Sequence, residues 1–128
     1  MPETPIFEDY VKTSDQHVVE PMPWGQLEWS VSAKIGNSDT MTVGTCFINV
    51  GKRNGRHYHP NCDEVLRVLS GRIIHTWDGF EREMNVGDVV SIPRGVVHNA
   101  RNIGDQTAVL AIAFSDANRE TVDLDGQH

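Results

Sequence analysis

Cysteine is scarce: Cys46 and Cys62 are the only two in 128 residues. Two thiols cannot form a disulfide framework, and their number and spacing match no zinc knuckle, so free thiols in a reducing compartment are expected. Long apolar runs are missing as well. The longest, Ala108–Phe114, is far too short to cross a bilayer. The opening MPETPIFEDY carries acids and prolines where a secretory signal needs a basic start and an apolar core, which points to the cytoplasm. Positive charge is in deficit, with 11 Lys and Arg against 18 Asp and Glu and a net charge of −7. That balance removes nucleic acid and anionic membrane surfaces from the expected partners. Helical periodicity is absent before residue 115, and no internal repeat or low-complexity tract occurs.

What the chain has is turn punctuation. Gly36-Asn37, Asn54-Gly55, Asp78-Gly79, Gly87-Asp88 and Gly104-Asp105 separate short runs rich in Val, Ile, Thr and aromatics. This is the pattern of an all-β sandwich or barrel. Residues 1–23 read as an N-terminal arm docked by a few apolar anchors, 24–115 as the barrel, and 116–128 as a polar tail, with Ser115–Glu120 able to start a short C-terminal helix. Leu27, Trp29, Val31 and Ala33 share one face of a half-buried strand. The denser runs Glu64–Leu69 and Val89–Ile92 read as more central strands. Asp78-Gly79 predicts a two-residue hairpin that sets Trp77 opposite Phe80 and His75 opposite Arg82. Ile73, His75, Trp77, Phe80, Arg82 and Met84 would then share one mostly apolar face. On that face an unpaired charge is costly, so His75 and Arg82 are either contacts to an anionic or carbonyl substrate or a cross-strand polar pair near the rim. Trp77, Phe80, Trp29, Phe47 and Met84 belong to core or cavity wall.

The chemistry concentrates in GKRNGRHYHPNCDEVLRVLSG, residues 51–71. Side chains two apart on an extended strand project together, so His57 and His59 point to one face while Tyr58 points away, with Arg56 and Arg67 also on the solvent side. Past the turn residues Pro60–Asp63, Glu64 opens the next strand and can set its carboxylate opposite the imidazoles. Cys62 between them reads as a loop thiol. A fourth group, His98, follows the Pro93-Arg94-Gly95 turn in GDVVSIPRGVVHNARN. Three neutral imidazoles and a carboxylate suit a divalent transition metal of octahedral preference, with two positions left for water or substrate. His17 and His128 stand apart from this set.

These residues resemble the cupin superfamily. The first cupin motif, G-x5-H-x-H-x4-E-x6-G, is matched by Gly51, His57, His59, Glu64 and Gly71, and the second, G-x5-P-x-G-x2-H-x3-N, by Gly87, Pro93, Gly95, His98 and Asn102. The short stretch between the motifs, residues 72–86, is similar to that of compact single-domain microbial cupins. The resemblance implies a double-stranded β-helix, or jelly-roll, barrel holding Mn, Fe, Ni, Zn or Cu on His57, His59, Glu64 and His98. It also implies a homodimer. An enzyme acting on a small organic molecule is expected, either a dioxygenase or an isomerase, decarboxylase or lyase. In such an enzyme Glu64 would stay bound or swing off as a catalytic base, and His75, Trp77 and Arg82 would be candidate substrate contacts. A small-ligand binding or sensing module with a non-catalytic metal is the alternative.

Overall fold

The computed structural model describes residues 4–126; His128 and the ends of the expected arm and tail lie outside them. A four-residue helix α1 (Phe7–Tyr10) and a 3-10 turn at Ser14–Gln16 precede eleven strands. These are β1 (Val18–Met22), β2 (Gly25–Val31), β3 (Thr42–Ile48), β4 (His57–Tyr58), β5 (Glu64–Ser70) and β6 (Ile73–Trp77), followed by β7 (Phe80–Met84), β8 (Val89–Ile92), β9 (His98–Asn102), β10 (Ala108–Phe114) and β11 (Val122–Asp123). One sheet runs β1-β2-β3-β10-β5-β8 and the other β11-β4-β9-β6-β7. The pairings are antiparallel throughout. Two facing antiparallel sheets with these crossovers make the jelly roll that the motifs imply.

Alternation decides which residues meet inside. Thr42, Gly44, Cys46 and Ile48 of β3 are buried, as are Ala108, Leu110, Ile112 and Phe114 of β10 and Glu64, Leu66 and Val68 of β5. These strands pair in registers such as Leu110 opposite Cys46 and Ile112 opposite Leu66, so apolar side chains line up across the sheet. Glu64 therefore enters the interior by the same period of two that buries Leu66 and Val68. Burying an anion there is costly unless partners meet it.

The Asp78-Gly79 hairpin forms with the expected register, Trp77 opposite Phe80, His75 opposite Arg82 and Ile73 opposite Met84. Asp78 and Gly79 both take positive φ, 50° and 88°, as a type I′ turn requires. The face it creates is not uniformly interior. His75 and Met84 are buried, whereas Phe80 is 78% exposed and Arg82 is exposed, because β7 is the last strand of its sheet and runs beyond its cover. Phe47, grouped above with core or cavity wall, sits on the alternate, partly exposed side of β3.

Four further expectations are corrected. The segment read as an arm contains β1, which pairs along its length with β2 at the sheet edge. β8 is an edge strand rather than a central one, with Val89 exposed and Ile92 buried. Residues 115–118 make a turn and no C-terminal helix; Asn118 N–H bonds to Asp116 Oδ1 instead. The tail returns as β11 against β4. Among the described residues no helix is long and apolar enough to cross a membrane.

Candidate metal centre

His57 lies on β4 directly opposite His98 on β9, and Glu64 opens β5 in the other sheet. His59 follows β4, its carbonyl accepting from Gly95 N–H at 2.9 Å, which ties the first motif to the turn of the second. Asp63 fastens the same turn from the other side, taking Arg94 N–H at 3.0 Å. The four side chains converge: one ligand atom from each of His57, His59, Glu64 and His98 lies within 4.8 Å of all the others. His59, Glu64 and His98 are each about 5% exposed or less.

Each imidazole is held by its outer nitrogen. His57 Nδ1 lies 2.7 Å from Gly55 O, His59 Nδ1 2.9 Å from Glu120 O, and His98 Nδ1 2.9 Å from Val96 O. A carbonyl can only accept, so each Nδ1 carries the hydrogen and each Nε2 faces inward, the tautomer a metal ligand needs. Asn54 and Asn99 brace the loop that presents Gly55: Ala100 N–H donates to Asn54 Oδ1 at 2.8 Å, and Asn99 Nδ2 to Asn54 O at 3.1 Å. Asn102 is structural, donating to Ile48 O and Gln106 O and accepting from Gly104.

Not every polar atom of the cluster has a hydrogen-bond partner. His59 Nε2 is buried without one, although Glu64 Oε1 is 3.2 Å away as a charge partner. Glu64 Oε1 lies 3.0 Å from His98 Nε2. Burial alone would raise the Glu64 carboxyl, but the close approach of His59 and the hydrogen bond and charge of His98 hold it well below the usual carboxylate range. For His98 burial works against protonation, and the bond to Glu64 outweighs it and raises the imidazole. Burial and the neighbouring His98 lower His57 to about 4. A divalent cation fits this set, replacing the proton between His98 and Glu64 and meeting the unpartnered His59 Nε2. A divalent transition metal, for which imidazole and carboxylate are suitable ligands, matches these donors.

A cavity opens beside the four ligands, with about 50 Å³ of space for the centres of water-sized molecules. One ordered water needs roughly 10–15 Å³ on that measure, so the space suits a ligand of few atoms. Trp29, Leu66, Leu110, Ile112 and Phe114 are among its walls.

Of the expected substrate contacts, His75 lines this cavity, its ring stacked on His98 at 5.8 Å and 20° and its Nε2 buried without a partner. Burial and His98 lower its pKa to about 4. Trp77 and Arg82 do not line the cavity: they border a second groove with Phe80, Met84 and Val89, and His75 lines both. Tyr58 and Arg56 do not line the cavity, and Arg56 pairs with Asp125. His17 pairs with Glu28 away from the site. Cys62 lies in the loop between β4 and β5 with its side chain packed into the core, and burial pushes it up to about 11.

Sequence reasoning missed Arg119, Glu120 and Thr121. They follow the turn after β10: the Glu120 carbonyl and the Thr121 hydroxyl meet the outer nitrogen of His59, Arg119 bonds that hydroxyl, and Arg119 and Thr121 also line the cavity. The available signal was a cation placed five residues beyond a strand whose alternate members face inward.

Fold and site together define a small jelly-roll barrel with a buried His/His/Glu/His centre able to hold a metal. The family model for the Cupin domain matches residues 44–114, and the chain belongs to that family. It is 30% identical over 89 residues to germin-like protein subfamily 3 member 2 of Arabidopsis thaliana, covering 60% of this chain and 38% of that one. Polyketide synthase CurC of Streptomyces cyaneus is 30% identical over 73 residues, covering 57% and 47%. A structure of Bacillus subtilis oxalate decarboxylase, a protein with Mn(II) centres, superposes with a TM-score of 0.71 at 28% identity over 79% of this chain and 28% of that one. The chain thus spans less than half the length of these relatives.

Proposed function

We propose that the protein is a metal-dependent enzyme acting on a small organic molecule inside the barrel. One observation carries the reading: three imidazoles locked through Nδ1–H to backbone carbonyls aim Nε2 at a buried, anionic Glu64 beside a cavity of small-molecule size. His57, His59, Glu64 and His98 would hold the ion, which when bound supplies Lewis-acid stabilisation of negative charge developing on a substrate oxygen. Glu64, held so far below the usual carboxylate range, acts as a ligand rather than a base. The apolar walls keep bulk water from the substrate, and His75, neutral and unpartnered at Nε2, is the contact inside the cavity. Likeness to oxalate decarboxylase favours a decarboxylase or lyase over the dioxygenase and isomerase branches.

A second reading, a binding or sensing module, is favoured by the thin acid–base equipment. Outside the four ligands, the titratable side chains lining the cavity are His75, Arg119 and Cys46. Exposed Val65, Leu69 and Val89 on the outer face of the six-stranded sheet support self-association as a homodimer. Two buried free thiols suit a cytoplasmic setting.

Metal analysis of protein purified without chelators tests the centre. About one divalent ion per chain is expected, falling to near zero in the His57→Ala/His98→Ala double variant; retention of the metal there would overturn the proposal. Gas release and oxygen uptake from metal-loaded protein offered small carboxylates and diols then separate the readings. Ligand-induced thermal shifts without turnover would favour sensing.

A further inference from the structure

Arg119 is the group that neither the family motifs nor the metal centre accounts for. Its guanidinium lies over the Trp29 ring at 4.4 Å from the centroid and 5.2 Å from that of Phe114. Both aromatics line the cavity beside the four ligands, and so does Arg119. Nη1 donates to Thr121 Oγ1 at 3.1 Å, and that hydroxyl is 3.2 Å from His59 Nδ1, so one side chain separates the cation from a metal ligand. Nε is buried with no hydrogen-bond partner. Among the described residues Arg119 makes no ion pair; Glu64 and, less, Glu20 act on it electrostatically without touching it, and Glu20 accepts from Trp29 Nε1 at 3.3 Å.

A buried guanidinium with an idle N–H is costly unless something meets it. Stacking on Trp29 and Phe114 holds the planar group in place and leaves its edge for in-plane donors, the geometry that takes a carboxylate on two parallel N–H bonds. The charge of the pocket agrees. A divalent ion against the single Glu64 carboxylate and three neutral imidazoles leaves one positive charge, and Arg119 adds another, inside a chain whose net charge is −7. Such a local inversion selects for anions. The small free space favours a compact ligand over a phosphorylated sugar or nucleotide.

We infer that Arg119 is the substrate anchor of the cavity and that the ligand class is small carboxylates, held by Arg119 at one carboxylate while another oxygen faces the metal centre. The inference rests on the metal reading above and narrows its substrate class. Lysine at this position would keep the charge but not the flat fork; methionine would keep the packing on Trp29 and Phe114 and lose the charge.

The test is calorimetric titration of wild type, Arg119→Met and Arg119→Lys, as purified and with metal content measured separately, using formate, acetate, pyruvate, malonate, inorganic phosphate and the neutral analogue acetamide. Wild type should prefer at least one carboxylate to acetamide by tenfold or more. Arg119→Met should keep its metal stoichiometry and lose about 10–100-fold in that affinity, the range of a lost charge-assisted hydrogen bond, and Arg119→Lys should fall between. Carboxylate affinity unchanged in Arg119→Met, or no preference over acetamide in wild type, overturns the inference, and phosphate binding more tightly than every carboxylate overturns the ligand class. Protein that neither holds nor takes up a divalent ion, yet still binds carboxylate through Arg119, would overturn the metal reading while leaving Arg119 as the anchor. If Arg119→Met fails to fold, Arg119→Lys decides: full wild-type affinity there removes the bidentate role.

Discussion

At the scale of single residues, the centre stores a proton balance that can be read out. Burial, aided by His98, lowers His75 to about 4, and Glu64 opposes it weakly; burial and His98 do the same to His57. An unfolded histidine titrates near 6.5. Above that value both states are neutral and the groups cost nothing. As pH falls from about 6.5 to 4 the unfolded chain binds protons the native site refuses, so stability drops by at most about 1.4 kcal/mol per pH unit for each group. His98 runs the other way, since its raised pKa adds stability at low pH that is lost as pH rises through it. In chelator-treated protein, His75→Gln should therefore flatten the acid limb of the stability curve between pH 6.5 and 4. Urea melts at half-unit pH steps measure this, and a slope equal to the parent's would show that His75 does not set it. The metal ligands were legible because covalent spacing fixes their direction: two residues apart for His57 and His59, and in phase with Leu66 for Glu64. Arg119 was not, because its place depends on where a turn after β10 folds back, which no local pattern encodes.

Secondary-structure elements show the same division. The hairpin from Ile73 to Met84 was legible to the register, since Asp78-Gly79 dictates a turn whose geometry leaves one pairing. β1, β11 and the edge position of β8 were not, because whether a short apolar segment pairs at an edge is settled by the neighbour it finds rather than by its own sequence. β3 supplies a test of how tightly the elements are fitted. A methyl group on Gly44 would lie 2.5 Å from the Glu28 carbonyl oxygen and 2.6 Å from Cε3 of Trp29, where the register of β2 also shifts, between Trp29 and Val31. Backbone on one side and a ring wedged under Arg119 on the other leave little room to yield. Gly44→Ala should cost about 1–3 kcal/mol by overpacking, seen as a lower denaturant midpoint at unchanged slope. A neutral result would mean that β2 and β3 are more loosely joined than these distances imply.

The whole molecule is two sheets whose shared interior holds the four ligands. His57 and His98 belong to the five-stranded sheet and Glu64 to the six-stranded one, while His59 is steadied by the Glu120 carbonyl from the returning tail. An ion at their centre would cross-link both sheets and the tail at once. The unfolded chain has no such cluster, so binding adds to folding stability by RT ln(1 + [M]/Kd), about 4 kcal/mol at a thousandfold excess over Kd. For a domain between the size classes usually compared, each kcal/mol moves the melting temperature by roughly 3–6 °C. Reloading chelator-treated protein with Mn(II), Co(II), Ni(II) or Zn(II) should thus raise the calorimetric midpoint on the order of 10–20 °C for the ion that fits best. The gain should vanish in Glu64→Gln, which removes the anion contributed by the opposite sheet while keeping its shape. Hydrogen exchange should slow in both sheets together, because the link spans them. A gain confined to β4 and β9 would mean that the histidines bind without Glu64. Equal melting with and without every ion would leave the buried, unpartnered His59 nitrogen with no occupant and remove the metal centre from the account.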